Sequence, residues 1–403
     1  MSSLLHPLPI PSGTCVESIL PQLEQTLRGD GPPLLPLPAD DDRETARLTD
    51  ALRPGEPIDD VPHAEDVALV MATSGTTGVP KGALLTARAL RASAEATHHR
   101  LGGPGAWLLA LPAHHIAGMQ VLLRGILAGT APAVVDVTEG FDPAALPAAV
   151  ASMEGSRRYT SLVPTQLVKA LDHPEAAAAL AQLDAVMLGG AATPAPLLRR
   201  ALDAGIRVVR TYGMSETCGG CVYDGVPLGG ADVRIADDSR VLLGGAMIAS
   251  GYRGLPGHPA FAEPGWFRTD DAGSLTDGVL TIHGRLDEGI STGGLTVVPQ
   301  VVEAVLAEHP SVRECAVLGV VDERLGQRVV AAIVPADGYT PTVRELRAHV
   351  SSTLDATAAP REIRLVDALP LRGPGKVDRE ALRSAWNTPD SRSANTNFRS
   401  PHR

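Results

Sequence analysis

Lysine is scarce in this chain, which has three lysines against 32 arginines among 403 residues. Cysteine is scarce too, and the four cysteines are too few and too scattered for the disulfide framework of a small secreted protein. No apolar run approaches the ~20 residues that a membrane-spanning helix needs. No charged segment precedes an apolar stretch near the first residue, so no secretory signal is expected and we predict a cytoplasmic protein.

A basic excess is also missing, because 46 acidic residues stand against 35 basic ones and the formal net charge is −11. This balance offers no general basic surface for nucleic acid or for an anionic membrane, so we expect small-molecule partners and no nucleic acid. Hydrophobic residues make up 44% of the chain, as in folded globular proteins. The length suffices for roughly two to four domains. Composition leaves open whether the chain forms a homo-oligomer.

The hydrophobic pattern differs between three successive regions of the first 283 residues. Residues 1–60 are rich in proline and predict an irregular lead with one short helix. From residue 67 to residue 210 short apolar strands alternate with helices, which predicts a layered α/β core with a substantially parallel sheet. Residues 221–283 hold short apolar pieces separated by Gly and Asp, which predicts a small antiparallel sheet or barrel.

These patterns predict two domains. Residues 1–286 are expected to form a large N-terminal domain of layered α/β sheets with a small β-rich subdomain. Residues 287–386 are expected to form a small, mobile α+β C-terminal domain. Residues 387–403 are rich in Ser, Asn and Pro and predict a disordered tail.

The sharpest motif is Thr73-Ser-Gly-Thr-Thr-Gly-Val-Pro-Lys-Gly82, which follows a predicted strand. Its glycines permit tight turning, and its hydroxyl and backbone N–H groups are suited to wrap phosphate oxygens. It is not a Walker loop, because Pro80 stands where that pattern requires its second glycine. The alternative is a surface turn with incidental hydroxyl groups.

This segment resembles the signature loop of the adenylate-forming superfamily, which comprises acyl-CoA synthetases, adenylation domains of peptide synthetases and luciferases. Five further motifs resemble those of the superfamily and follow in its order. The resemblance implies that the chain uses ATP and Mg²⁺ to form an acyl-adenylate. The motifs are Gly189-Gly-Ala191, Tyr212-Gly-Met-Ser-Glu216, Trp266-Phe-Arg-Thr-Asp-Asp271, Gly284-Arg-Leu-Asp-Glu-Gly-Ile-Ser-Thr-Gly-Gly294 and Pro370-Leu-Arg-Gly-Pro-Gly-Lys-Val-Asp-Arg379.

The resemblance also implies a nucleotide site. Tyr212 would stack on the adenine, and the serine hydroxyl of the same motif would contact the α-phosphate. Glu216 would help to hold Mg²⁺. Asp271 would bind the ribose hydroxyls, with Asp270 where the superfamily usually has glycine. The implied ATP- or AMP-binding residues are Thr73, Ser74, Gly75, Thr76, Thr77, Lys81, Gly189, Gly190, Ala191, Tyr212, Ser215, Asp271 and Arg285.

The last two motifs imply a moving domain that carries a catalytic lysine. Asp287 would be the hinge, and Gly293 and Gly294 would lie on the coenzyme A side. Lys376 would be the catalytic lysine. Because this chain uses arginine almost everywhere else, a retained lysine indicates a need for a compact ammonium that guanidinium cannot replace. The alternative is a surface residue at the start of a helix.

Three segments resemble the o-succinylbenzoate–CoA ligases of menaquinone biosynthesis, which use coenzyme A as the second substrate. This resemblance implies an acid pocket lined by His115, Ser161, Thr165 and Gly213. Another aryl- or acyl-CoA ligase, a stand-alone adenylation domain and a non-catalytic nucleotide-binding protein remain alternatives. The segments are Leu111-Pro-Ala-His-His-Ile-Ala-Gly118, Ser161-Leu-Val-Pro-Thr-Gln-Leu167 and Thr211-Tyr-Gly-Met-Ser-Glu-Thr-Cys-Gly-Gly220.

Three other clusters are interpreted without a functional role. Cys218 and Cys221 have no second Cys/His pair at metal spacing, so we favour a structural pair over a zinc or redox site. His98-His99 is expected to be solvated at the end of a helix. Asp40-Asp41-Asp42 is expected to form a solvated loop.

Overall fold

The structure is a computed structural model, which describes residues 4–73, 80–372 and 376–387. The α-helices in these ranges are α1 (Leu20–Arg28), α2 (Asp42–Leu52), α3 (Ala87–Arg100), α4 (Ile116–Ala128), α5 (Leu146–Ala151), α6 (Pro164–Leu171), α7 (Pro174–Leu180), α8 (Ala195–Asp203), α9 (Pro299–Leu306), α10 (Val343–Ser351) and α11 (Arg379–Asn387). The strands are β1 (His6–Ile10), β2 (Leu34–Pro38), β3 (Val67–Thr73), β4 (Lys81–Thr86), β5 (Ala106–Leu109), β6 (Ala133–Val134), β7 (Arg158–Leu162), β8 (Ala185–Leu188), β9 (Val208–Met214), β10 (Gly219–Tyr223), β11 (Val226–Pro227), β12 (Ala231–Ile235), β13 (Arg240–Gly245), β14 (Trp266–Thr276), β15 (Val279–Arg285), β16 (Ile290–Thr292), β17 (Leu295–Val297), β18 (Val312–Asp322), β19 (Gly326–Pro335), β20 (Glu362–Leu365), β21 (Leu371–Arg372) and β22 (Lys376–Val377).

The first 60 residues are more regular than their proline content predicts. They form β1, α1, β2 and α2, and β1 pairs with β2 in parallel, so the prediction of an irregular lead with one helix is wrong. Only Leu34 of β2 pairs with β3. Pro36 and Pro38 share the strand parity of Leu34 and lie beyond that pairing, so the N–H groups that they lack are not needed by a ladder.

A seven-stranded sheet forms the centre of the predicted α/β core. Its strand order is β11-β10-β9-β8-β7-β5-β6, and the five strands from β9 to β6 run parallel to one another. Helices connect these strands, because parallel neighbours need a crossover. The carboxyl ends of β5, β7, β8 and β9 therefore meet at one edge of the sheet, which is where α/β proteins bind ligands.

Two further sheets follow the parallel sheet, and the first confirms the small antiparallel sheet predicted for residues 221–283. Strands β12 to β15 form a four-stranded antiparallel sheet in sequence order. The next sheet has the order β17-β16-β19-β18, and β20 adds to β19 in parallel. Gly293 and Gly294 form the two-residue turn between β16 and β17, with φ values of +59° and +84°. Positive φ at both positions is the type I′ requirement that glycine meets without strain.

The buried apolar side chains form separate clusters for these regions. Trp107 and Tyr159 lie in the cluster on one face of the parallel sheet, and Leu108 and Val186 lie in the cluster on its other face. The sheet after residue 290 has clusters of its own on both faces, which close around α9, α10 and α11. No helix in the described part of the chain is both long and apolar enough to cross a bilayer.

Two local predictions need correction. Asp41 caps α2 by accepting the N–H of Glu44 at 2.9 Å, so the acidic triplet is a solvated helix start rather than a loop. His98 is 7% exposed, and its Nε2 accepts the indole N–H of Trp107 at 3.3 Å. Burial, with the nearby charge of Arg124, lowers the pKa of His98 to about 4. The prediction of solvation holds for His99 only.

Candidate active site

The residues predicted for the acid pocket lie on elements that meet at the carboxyl edge of the parallel sheet. His115 is the N-cap residue of α4, which follows β5. Ser161 is buried in β7, and Thr165 lies in the first turn of α6, which follows β7. Gly213 lies near the end of β9. Parallel pairing of β5, β7, β8 and β9 brings these four positions to one edge.

Close packing and hydrogen bonds join the loops at this edge. The amide of Gln166 donates to the carbonyl of Ala110 at 2.8 Å, which ties α6 to the segment that leads to His115. A Cβ on Gly190 would lie 3.3 Å from Val163, so the loop after β8 touches the start of α6. A Cβ on Gly219 would lie 3.8 Å from Ile116, which places the start of α4 beside β10.

The turn before α4 sets the position of His115. A Cβ on Gly118 would lie 2.4 Å from the carbonyl oxygen of Pro112, so only glycine allows the first turn of α4 to pack on this segment. The rings of His114 and His115 lie 4.2 Å apart. Burial lowers the pKa of His114, although the negative charges of Glu44 and Asp41 oppose this.

Two residues predicted for the nucleotide site are joined directly. The hydroxyl of Tyr212 donates to Oδ2 of Asp271 at 2.7 Å. Burial, the negative charge of Asp271 and the hydrogen bond to it raise the pKa of Tyr212 well above its usual value. Burial also raises the pKa of Asp271, although the Tyr212 hydrogen bond and the charge of Arg285 oppose this. The hydroxyl of Thr269 accepts the N–H of Asp271 at 3.0 Å and so fixes the backbone there.

Arg285 links the predicted ribose site to the predicted hinge. Asp271 and Arg285 face each other across β14 and β15, with 3.7 Å between Oδ1 and Nη1. Arg285 also forms a bidentate ion pair with Asp287, with distances of 2.8 and 2.7 Å. Although burial opposes it, the negative charge around Arg285 raises the pKa of its guanidinium.

The predicted metal ligand, Glu216, is buried in a short 3₁₀ turn after β9. Its Oε1 accepts the hydroxyl of Tyr252 at 2.6 Å, and that tyrosine is 4% exposed. Burial and the charge of Glu216 raise the pKa of Tyr252. Next to it the hydroxyl of Ser215 donates to the carbonyl of Ala72 at 3.3 Å, which joins this turn to the end of β3.

A single carboxylate fits Mg²⁺ better than it fits a self-sufficient metal centre. In the described ranges no group of three or more His, Cys, Asp or Glu side chains is placed to hold a metal ion. Mg²⁺ is commonly held by one or two carboxylates together with the phosphates of a substrate. The position of Glu216 between the nucleotide residues and the end of β3 fits that mode of binding.

Cys218 and Cys221 are free and buried, as the structural interpretation predicts. Burial raises the pKa of both thiols, that of Cys221 to about 12, so neither is poised as a thiolate. Cys218 has φ of +53°, and its carbonyl accepts hydrogen bonds from Ser93 and Gln120 at 3.0 and 2.7 Å. These contacts hold the turn that carries Glu216.

The remaining predicted site residues lie on other segments of the chain. Ser74, Gly75, Thr76 and Thr77 lie outside the described residues, although Thr73 and Lys81, which flank them, pair across β3 and β4. Lys376 lies in β22, opposite Arg372 of β21. Gly189, Gly190 and Ala191 follow β8 at the sheet edge. Asn387 ends α11, and the rest of the predicted tail lies outside the described residues.

Two known protein families match this chain over most of its length. Residues 15–252 match the AMP-binding enzyme family, and residues 301–376 match the C-terminal domain of the AMP-binding enzymes. The chain belongs to the AMP-binding enzyme family. The resemblance to adenylate-forming enzymes is confirmed, as is the predicted fold class, a large α/β region followed by a small α+β region.

Individual AMP-binding enzymes are similar to this chain over nearly its whole length. The probable 2-succinylbenzoate–CoA ligase of Mycobacterium tuberculosis is 57% identical over 382 residues, which are 94% of this chain and 97% of the relative. A point variant of Escherichia coli MenE with bound OSB-AMS is 26% identical at a TM-score of 0.74, covering 96% of this chain and 88% of that one. Bacillus subtilis o-succinylbenzoate CoA synthetase with the acyl-adenylate OSB-AMP shares the fold at 23% identity and a TM-score of 0.73, covering 98% and 90%.

Two residues of this AMP-binding enzyme contact predicted site residues although no sequence pattern predicts it. Tyr252 holds Glu216, and the ring of Tyr252 lies 5.1 Å from Nζ of Lys81. His258 packs edge-on against the same ring at 4.9 Å. Both lie in the irregular segment between β13 and β14, where no periodicity or spacing separates a site residue from an ordinary loop residue.

Proposed function

We propose that this AMP-binding enzyme joins 2-succinylbenzoate, also called o-succinylbenzoate, to coenzyme A and releases AMP and pyrophosphate. The observation that carries the proposal is the 57% identity, over 94% of the chain, to a probable 2-succinylbenzoate–CoA ligase. The carboxyl edge of the parallel sheet supports it, because the histidine and hydroxyl side chains predicted for the acid pocket lie on elements that meet there and are suited to an acid with two carboxylates. The reaction serves menaquinone biosynthesis, and ATP and free coenzyme A place it in the cytoplasm.

The chemistry requires the carboxylate to be activated first. A carboxylate is a poor electrophile, and a thiol does not displace its oxygen in water. In-line attack of the carboxylate on the α-phosphorus of ATP forms an acyl-adenylate and releases pyrophosphate, and AMP then becomes the leaving group for the thiol of coenzyme A. Two anions approach each other in the first step, so positioning and cationic stabilisation dominate the barrier.

The nucleotide residues have separate roles in this proposal. Tyr212 stacks on the adenine, and Asp271 receives the ribose hydroxyls once its hydrogen bond with Tyr212 is exchanged for the substrate. Ser215 lies beside the end of β3 and contacts the α-phosphate. Glu216 would hold Mg²⁺, which supplies charge neutralisation on the phosphates when bound. Tyr252 keeps the carboxylate of Glu216 oriented towards that position.

The two steps need different arrangements of the small domain. Lys376 would bridge the acid carboxylate and the α-phosphate during adenylation, and it must leave before the thiol arrives. We propose that residues 287–386 rotate about Asp287, which is anchored to the N-terminal domain by its bidentate ion pair with Arg285. The exposed hairpin turn at Gly293 and Gly294 would then contribute to the coenzyme A side.

The decisive experiment measures pyrophosphate release over a panel of acids and identifies the acylated product. We expect o-succinylbenzoate to be activated far better than benzoate or a fatty acid, with free coenzyme A as the acceptor. Preference for another acid would identify a different acyl-CoA ligase. Transfer to a holo-carrier protein but not to coenzyme A would identify a stand-alone adenylation domain, and nucleotide binding without pyrophosphate release would identify a binding protein.

His115→Ala tests the acid pocket. We expect the KM for the acid to rise by about 10-fold or more while the KM for ATP changes little, because a hydrogen bond to a charged group contributes about 1.5–3 kcal/mol. The measurement is the initial rate of pyrophosphate release with each substrate varied in turn.

His114→Ala is the matched control for this variant, because it removes the neighbouring imidazole, which is not among the residues predicted for the acid pocket. It should leave the KM for the acid near the wild-type value. An equal rise of both KM values in His115→Ala would contradict the placement of His115 in the acid pocket.

A further inference from the structure

Two nitrogen donors lie side by side near the nucleotide residues. Nζ of Lys81 is 3.4 Å from Nε2 of His258. The other ring nitrogen of His258, Nδ1, accepts the backbone N–H of Ala260 at 3.2 Å and caps the short turn that follows. Since Nδ1 accepts a hydrogen bond, the proton of the neutral ring is on Nε2. The ring edge that carries this proton faces the ammonium group.

These two groups cannot form a hydrogen bond with each other, because a lysine ammonium is a donor only and Nε2 of His258 is also a donor. In the part of the chain that the structure describes, no carboxylate forms an ion pair with Lys81. The nearby Asp270 is already engaged by Arg240 at 2.9 Å and by Arg285 at 3.6 Å. The two adjacent donors, one of them cationic, can therefore both donate to one anionic acceptor.

The surroundings of the pair indicate which anion it accepts. Lys81 lies over the ring of Tyr252, at 5.1 Å, and the hydroxyl of Tyr252 donates to Glu216 at 2.6 Å. The pair is therefore separated from the predicted metal ligand by a single tyrosine ring. A polyphosphate that shares a metal ion with Glu216 can reach both donors, whereas a monophosphate held beside Ser215 and Tyr212 has no further phosphoryl group to offer them.

We propose that His258 is a further substrate-binding residue whose Nε2–H, together with Nζ of Lys81, donates to one oxygen of the β- or γ-phosphoryl group of ATP and then of the departing pyrophosphate. A neutral donor orients the polyphosphate without adding a second positive charge. It therefore aligns the pyrophosphate leaving group for in-line attack without binding the released pyrophosphate too tightly. The inference rests on the proposed function only in that the reaction releases pyrophosphate.

His258→Asn tests this directly. Asparagine is a good N-cap residue, so its Oδ1 keeps an acceptor for the N–H of Ala260, but it places no donor at the position of Nε2. Calorimetry on the full chain with Mg²⁺ and either pyrophosphate or AMP gives the two dissociation constants. We expect the Kd for pyrophosphate to rise about 10-fold and the Kd for AMP to stay within about twofold, because AMP lacks the contacted groups.

Two controls make the result specific. His283→Asn changes an exposed histidine on β15 and should alter neither Kd. In a Lys81→Met background, His258→Asn should raise the Kd for pyrophosphate by less than about threefold, because the shared oxygen is no longer held. The binding measurement uses no acid and no coenzyme A, so a wrong assignment of the acid leaves it unaffected.

Three outcomes would overturn the proposal. The first is an unchanged Kd for pyrophosphate in His258→Asn. The second is an equal rise of the Kd for AMP, which would show that the substitution disturbs the site as a whole. The third is full additivity with Lys81→Met, which would show that the two side chains do not share an anion.

Discussion

Lys376→Ala is expected to lower the rate of adenylation by about 10²- to 10³-fold, the usual effect of removing one preorganised donor to a transition state. Lys376→Arg should restore little, because a planar guanidinium must share a site sized for an ammonium. Thioester formation from supplied acyl-adenylate should survive in both variants, since Lys376 has left before the thiol attacks. The two half-reactions are measured separately, as pyrophosphate release and as loss of free thiol.

Lys169→Ala is the matched control, since Lys169 is an exposed residue of α6 and one of the three lysines of the chain. It should leave both half-reactions unchanged. Retained adenylation in Lys376→Ala would overturn the assignment of the catalytic lysine. Loss of both half-reactions in a folded Lys376→Ala protein would mean that one conformation serves both steps and that the small domain does not rotate.

Gly213→Ala should remove most of the adenylation activity through sterics alone. A Cβ at this position would lie 2.1 Å from the carbonyl oxygen of Gly219 and 2.7 Å from Cα of Gly220, so β9 and β10 must separate. That movement displaces Tyr212 and the turn that carries Glu216. A displacement of about 1 Å costs about 10²-fold in rate, and overpacking lowers the free energy of unfolding by about 1–3 kcal/mol.

Gly229→Ala is the control for this substitution, because a Cβ there would meet nothing within 4 Å. Its rate of pyrophosphate release and its denaturant midpoint should match those of the wild type. Wild-type activity in Gly213→Ala would show that β9 and β10 can separate without moving Tyr212 or Glu216. The close approach would then have no catalytic role.

The predicted fold is right where the pattern along the chain is local. Strand β3, the helix that starts after Thr86, and the alternation up to β9 follow from short apolar runs and caps that neighbouring residues complete. The prediction for residues 1–60 is wrong because proline lowers strand propensity wherever it occurs. Whether the missing N–H is needed depends on the neighbouring strand, and the β3 residue that pairs with Leu34 lies 35 residues further along the chain.

The family and the type of reaction could be predicted from the motifs alone, because each motif is contiguous and carries its residues in a fixed order. Which side chains contact each other could be seen only in the folded chain. Tyr212 meets Asp271 across 59 residues, Tyr252 meets Glu216 across 36, and Lys81 meets His258 across 177. Sheet pairing and loop packing create these contacts. Residues that far apart leave no shared period or spacing in the chain, so the physical cause of each pair exists only in the folded protein.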